Sequence, residues 1–96
     1  MKSKLTCSFD NIDKGLVFLK WEGLENQNEI TKFIFDTFEI SPQGNNFAKI
    51  PIAVFINASQ ELSYFANNPN NKIELFEISE DVINLFRDIP LSLIHI

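Results

Sequence analysis

Residues 5–10 alternate, with Leu5, Cys7 and Phe9 on one side and Thr6, Ser8 and Asp10 on the other. That period of two predicts a half-buried strand. Asn11-Ile12-Asp13-Lys14-Gly15 is turn chemistry, with Gly15 able to adopt a positive φ. Residues 16–21, Leu-Val-Phe-Leu-Lys-Trp, are a second strand, largely apolar on both faces. Together the two predict an antiparallel hairpin that Gly23 ends.

A helix follows, with Asn26 or Asn28 as its cap and Glu29 near the positive end of its dipole. Ile30, Phe33, Ile34, Thr37 and Phe38 form its apolar stripe, and Phe35 lies off that stripe, so the helix should be covered on more than one side. Residues 41–46 read as a loop. Residues 50–56, Ile-Pro-Ile-Ala-Val-Phe-Ile, are short, β-branched and uncharged, the pattern of a central strand, with Pro51 at its start. Asn57 or Ser59 then caps a short helix whose inner face is Ala58, Leu62, Phe65 and Ala66. Asn67-Asn68-Pro69-Asn70-Asn71 breaks the chain. Residues 73–78 carry charge on a strand pattern, which suits a sheet edge. Ser79 caps a last helix with Val82, Leu85, Phe86 and Ile89 as its stripe, and Pro90 stops it.

The element order is β-β-α-β-α-β-α, which predicts one α/β domain over residues 1–90, a mixed sheet with helices packed on it. At 96 residues the chain holds one core; 45% hydrophobic content with ten Phe supplies it. The net charge of −5 and the scattering of Lys2, Lys4, Lys14, Lys20, Lys32, Lys49, Lys72 and Arg87 argue against a nucleic-acid footprint. No apolar run is long enough to span a membrane or form a signal-peptide core. One cysteine excludes an internal disulfide framework and fits a reducing compartment, so the expected location is cytoplasmic.

The chemistry-bearing residues are few. With one Cys and, once His95 of the terminal tail is discounted, no His, a zinc site and a Cys–His or Ser–His nucleophilic pair are excluded within these residues, and Gly15, Gly23 and Gly44 form no phosphate loop. No cofactor is implied. Asp10 and Asp13 at the turn, and Asp36 with Glu39 on the first helix, read as solvated carboxylates. Cys7 sits on the apolar side of its strand and reads as a buried, inert thiol. Trp21 is either core packing at the sheet's end or an aromatic anchor for a partner. Asn57-Ala58-Ser59-Gln60 is placed between a buried strand and a helix N-terminus, where open α/β sheets bind ligands, and Ser79 occupies the equivalent place after the next strand. Simple helix capping is the alternative for both serines.

From Trp21 to Pro90 this pattern resembles STAS-type domains, which include the bacterial anti-sigma-factor antagonists. The resemblance rests on the hairpin leading to a helix, on residues 50–56 running into a capped helix at Asn57-Ala58-Ser59, and on the strand–Ser–acidic–helix segment Ile73-Glu74-Leu75-Phe76-Glu77-Ile78-Ser79-Glu80-Asp81-Val82. It implies a non-catalytic domain that binds a protein partner. It also implies a phosphorylatable serine at the second helix's start, for which Ser59 is the nearest match. The family's acidic residue is Asn57 here, and its following glycine is missing.

The preferred expectation is therefore a non-catalytic, cytoplasmic protein-interaction domain, without nucleic-acid or membrane binding. Asn57, Ser59, Ser79 and Trp21 are its candidate interaction or phosphorylation residues. Two alternatives stand beside it. One is the N-terminal piece of a larger α/β enzyme whose active site lies downstream. The other is a small acidic immunity- or antitoxin-like protein that sequesters a basic partner.

The terminal Leu91-Ser92-Leu93-Ile94-His95-Ile96 is what CTG TCT CTT ATA CAC ATC encodes, a string that resembles the transposon-end adapter of a common sequencing-library preparation. The expectation is that residues 91–96 are adapter read-through, that the gene continues beyond Pro90, and that His95 carries no role. A natural apolar strand is the alternative. Sequencing the gene from an independently prepared library should give different residues after Pro90; recovery of the same six overturns the expectation.

Overall fold

The computed structural model describes residues 3–23 and 25–87. The opening alternation folds as foreseen. Strand β1, Lys4–Phe9, pairs antiparallel with β2, Leu16–Glu22, and Leu5 faces Trp21 across the ladder. The turn closes through Asp13, whose Oδ1 accepts from the Gly15 N–H at 2.8 Å. This side-chain turn removes the need for a left-handed glycine, and no described glycine has a positive φ.

Helix α1, Gln27–Phe38, starts one residue after Asn26. Asn26 stands at the cap position but makes no side-chain capping bond. Its amide turns inward, accepting from Ser3 Oγ at 3.1 Å and donating to the Asn71 carbonyl at 2.6 Å. Ile30, Ile34 and Phe38 are buried, and so is the off-stripe Phe35, which meets Trp21 edge-on with ring centroids 6.0 Å apart.

The largest departure from expectation lies at residues 50–56. The strand there, β3, is Phe47–Pro51, and helix α2 begins at once and runs over Ile52–Asn67. A short apolar run does not distinguish a buried strand from a buried helix by periodicity alone. Two local facts decide it. Phe47 and Lys49 alternate with the buried Ala48 and Ile50, which extends the strand backwards. Pro51, with fixed φ and no N–H, ends the pairing and stands at the helix cap position rather than opening a strand. Phe55, Leu62 and Ala66 then fall on one buried helical face. The Ile52 N–H, otherwise an orphan of the first turn, donates to the Gly15 carbonyl at 3.2 Å. Asn57 and Ser59 consequently lie inside α2 and cap nothing.

A 3-10 turn at Pro69–Asn71 leads to β4, Leu75–Ile78, and then to α3, Glu80–Arg87. Ser79 does cap α3: its Oγ accepts from the Val82 N–H at 3.4 Å. Of the α3 stripe, Val82 is buried and Leu85 packs on the core. The Phe86 side chain, Ile89, the stop at Pro90 and residues 91–96 lie outside what is described.

The sheet is mixed, in the order β3-β2-β1-β4, with β4 parallel to β1 and the other pairs antiparallel. The foreseen edge strand β4 is at an edge; the foreseen central strand is at the opposite edge. One buried cluster joins Leu5, Cys7, Val17, Leu19, Trp21, Ala48 and Ile50 of one sheet face to residues of all three helices. The other face carries Lys4, Thr6, Phe18, Lys20, Phe47 and Lys49, none of them in that cluster. No described helix is long and apolar enough to cross a membrane.

The Asn26 network ties the start of β1, the start of α1 and the turn after α2 together. Gly23 is part of it, because a Cβ there would stand 2.3 Å from the Asn26 side-chain oxygen. Asn26→Ala should lower unfolding stability by about 2–3 kcal/mol, since it strands the Ser3 hydroxyl and the Asn71 carbonyl in a mostly buried place. Urea denaturation checks this, and a loss under about 0.5 kcal/mol would show the network to be dispensable.

Candidate functional site

Helix α2 turns two kinds of residue toward the sheet. Phe55, Leu62 and Ala66 enter the core, while Ser59 and Ser63, one turn apart, stand at the margin of the same face. Beyond them, at the outer edge of the sheet, β4 contributes the half-buried Phe76 and Ile78. The two elements do not close on each other, and a groove of about 290 Å³ remains between them. Its floor is Phe55, Leu62, Phe76 and Ile78, and its rim is Ser59, Gln60 and Ser63. The rim is polar but uncharged. Ser59 Oγ donates back to the Ile56 carbonyl at 3.1 Å, and Gln60 Nε2 donates to the Tyr64 hydroxyl at 2.8 Å.

Beside the groove the chain is acidic. Glu74, Glu77, Glu80 and Asp81 are all exposed, and residues 73–82 contain no Lys or Arg. Lys72, just before that stretch, pairs with Glu25 at 3.7 Å.

Of the tetrapeptide singled out from sequence, Ser59 and Gln60 line this groove, and they do so from mid-helix; of the four candidate interaction residues, Ser59 alone does. The placement foreseen for it, at a helix N-terminus outside a buried strand, does not exist; the N-terminus after β3 is Pro51-Ile52, and its first N–H is used by Gly15. Asn57 is exposed and does not line the groove. Ser79 is committed to the α3 cap and to the Cys7 carbonyl, to which its N–H donates at 2.8 Å. Trp21 has no exposed surface, and its indole N–H donates to Thr31 Oγ1 at 2.9 Å. It is the core anchor of α1 and offers nothing to a partner.

The carboxylates stay apart. Asp13 is spent on its turn, Asp10 pairs with Lys49 at 3.6 Å, and Asp36 and Glu39 are exposed. Among the described residues no three His, Cys, Asp or Glu side chains gather as a metal site.

Phe55, Ser63, Phe76 and Ile78 were not legible as a site. The available signal was Ser59 and Ser63 at i, i+4 on an otherwise apolar helix face, which shows only once the helix is started at Ile52.

No protein-family model matches the chain, and no curated protein or solved structure matches it. Of the features on which the likeness to STAS-type domains rests, the hairpin-to-helix opening and the strand–Ser–acidic–helix segment are present as elements. Residues 50–56, in contrast, are the end of an edge strand and the start of a helix.

Cys7 is buried, and that burial pushes its thiol up from 9.0 to about 12. The native protein should therefore hold about a thousandfold less thiolate than the unfolded chain near neutral pH, and alkylation by iodoacetamide should be slow until urea is added. The associated stability is full below pH 9.0 and is lost as pH rises toward about 12, because only the unfolded chain ionises in that window. Equal alkylation rates in the native and unfolded protein would overturn the burial of this thiol.

Proposed function

We propose that this domain is a non-catalytic protein-interaction module, resembling STAS modules in its order of elements, and that the groove between α2 and β4 is its docking surface. The observation that carries the reading is the open apolar floor of Phe55, Leu62, Phe76 and Ile78 under an uncharged hydroxyl and amide rim. An apolar centre with a polar margin is the composition of a protein-docking patch. The mutual separation of the carboxylates and the inert thiol supports an absence of catalysis. The charge pattern of the open sheet face supports a protein over a nucleic acid, because Lys20 is paired with Glu22 at 3.6 Å and Lys49 with Asp10. A cytoplasmic setting is the one the unpaired thiol fits best.

Ser59 takes its role from this groove. A phosphate there would stand at the rim over the apolar floor and would obstruct the entry of apolar side chains by its bulk and its bound water.

Immobilised wild-type protein, Ser63→Trp and Ser59→Asp compared in affinity capture from the source cell's extract test the reading. Ser63→Trp fills the groove from its rim and should lose most of the partner retained by wild type, with Ser59→Asp showing the same loss. The far-ultraviolet circular dichroism of both variants should remain that of wild type. Unchanged capture by both variants overturns the groove as the docking surface.

A further inference from the structure

The two edges of the sheet are built differently. At β3, the Gln43 side chain lies along the outer edge: its Oε1 accepts from the Lys49 N–H at 2.9 Å and its Nε2 donates to the Lys49 carbonyl at 3.0 Å. Pro51 closes the same edge by having no N–H to offer. A side-chain amide thus takes the place of a neighbouring strand, and β3 is blocked to further pairing.

At β4 no such device exists among the described residues. The Leu75 N–H donates to the Ser3 carbonyl at 3.1 Å and the Ser79 N–H to the Cys7 carbonyl at 2.8 Å. In a parallel ladder alternate residues turn their main-chain groups to the same neighbour, so Leu75, Glu77 and Ser79 face β1. Phe76 and Ile78 therefore direct their N–H and C=O groups outward, away from the sheet. Their side chains are the ones that floor the groove. Unused backbone groups and an apolar slot consequently occur at the same two residues.

Resting on the interaction reading above, we propose that the partner docks as an extended basic strand added to the outer edge of β4. Residues opposite Phe76 and Ile78 place apolar side chains into the groove, and the intervening residues are Lys or Arg facing Glu77 on the open face. Cross-strand neighbours share a face, so the period of two sorts the partner's side chains this way. Charge selects the occupant. A second copy of this chain would bring Glu74, Glu77, Glu80 and Asp81 against the same four groups, and with Phe76 opposite Ile78 the two Glu77 side chains would face each other directly. Like charges in that position are destabilising. Lys4 is the only cation in register with β4, and it stands opposite Leu75. The acidic edge thus opposes self-pairing and favours a cationic strand.

The test is a titration of the full chain, labelled with nitrogen-15, by three synthetic heptapeptides. One alternates Lys with Leu, one alternates Glu with Leu, and one is the Lys–Leu peptide with alternate backbone amides N-methylated on the edge that pairs with β4. The Lys–Leu peptide should saturate, with amide shifts concentrated over Leu75–Ile78 and at Ser59 and Ser63. N-methylation should abolish those shifts, and Glu77→Lys should weaken binding about fivefold at low salt while improving the Glu–Leu peptide. Equal binding of the Lys–Leu and Glu–Leu peptides overturns the charge assignment. Saturation that survives N-methylation overturns strand addition, and concentration-dependent dimerisation of the free chain in sedimentation, lost in Ile78→Pro, which removes an outward N–H, overturns the choice of a cationic strand over a second copy. If no peptide binds while Ser63→Trp still abolishes capture from extract, strand addition fails and the groove as a docking surface stands. If neither responds, both fail.

Discussion

The crossover between β3 and β4 constrains the rest of the molecule. These strands lie at opposite edges of the sheet and run in the same direction, so the chain between them must traverse its full width on one face. Four strands span three gaps, roughly 14 Å at the usual strand spacing. A helix of 16 residues is about 24 Å long, enough to make that traverse and leave its C-terminal turns beyond the sheet centre. α2 is therefore long because of the strand order. Its first and last turns pack on α1, with Phe38 and Phe55 stacked at 6.1 Å and Phe33 and Phe65 at 3.9 Å. Once α2 occupies that face, α1 takes the space over β2, held there by Trp21 between Phe35 and Thr31.

The same geometry leaves the groove. β4 follows α2 by a short turn and lies at an edge of the sheet, so Phe76 and Ile78 share the groove with Phe55 and Leu62 and with the polar side of α2. Ser59 and Ser63 are at that side. Hydroxyls at the margin of a core helix cost little when one can bond back to its own helix, as Ser59 does to Ile56. Two larger apolar residues there would have closed the contact. The groove is thus a property of residue choice at two positions on a helix whose course is otherwise dictated by topology.

Much of this fold was legible in the sequence because the relevant signals were local. The alternation from Leu5 to Phe9, the turn at Asp13, the stripe from Ile30 to Phe38, the break at Asn67–Asn71 and the cap at Ser79 each reflect neighbouring residues and survive in the structure. Residues 50–56 did not, because a short uncharged apolar run reads alike as strand or helix and only the surfaces it meets decide: Ile50 and Phe55 are buried there, while Pro51 and Ala53 are exposed. That single misassignment displaced the candidate site. It placed Asn57 and Ser59 at a helix N-terminus, where ligands bind in open sheets, whereas the relevant geometry is the lateral face of a continuous helix. Trp21 was equally undecidable in one dimension, since an indole at a strand end is an anchor or a contact depending on whether α1 covers it.

The contrast between the two edges links fold to function more directly than any single residue. An open strand edge is a liability for a small sheet, and β3 shows that this chain blocks one where it has the residues to do so, with Gln43 and Pro51. At β4 the response differs in kind. Instead of covering the edge, the chain sets Glu77 on it, with the exposed Glu74 just before the strand and Glu80 and Asp81 just after it, and a charge there opposes another copy without obstructing the backbone groups themselves. A covered edge refuses every strand; a charged edge refuses only strands of like charge. The first device closes its edge to any strand, and the second, on the docking proposed above, would discriminate among partners. That difference is why the proposed docking surface lies at β4 and α2 and not at the blocked margin of β3.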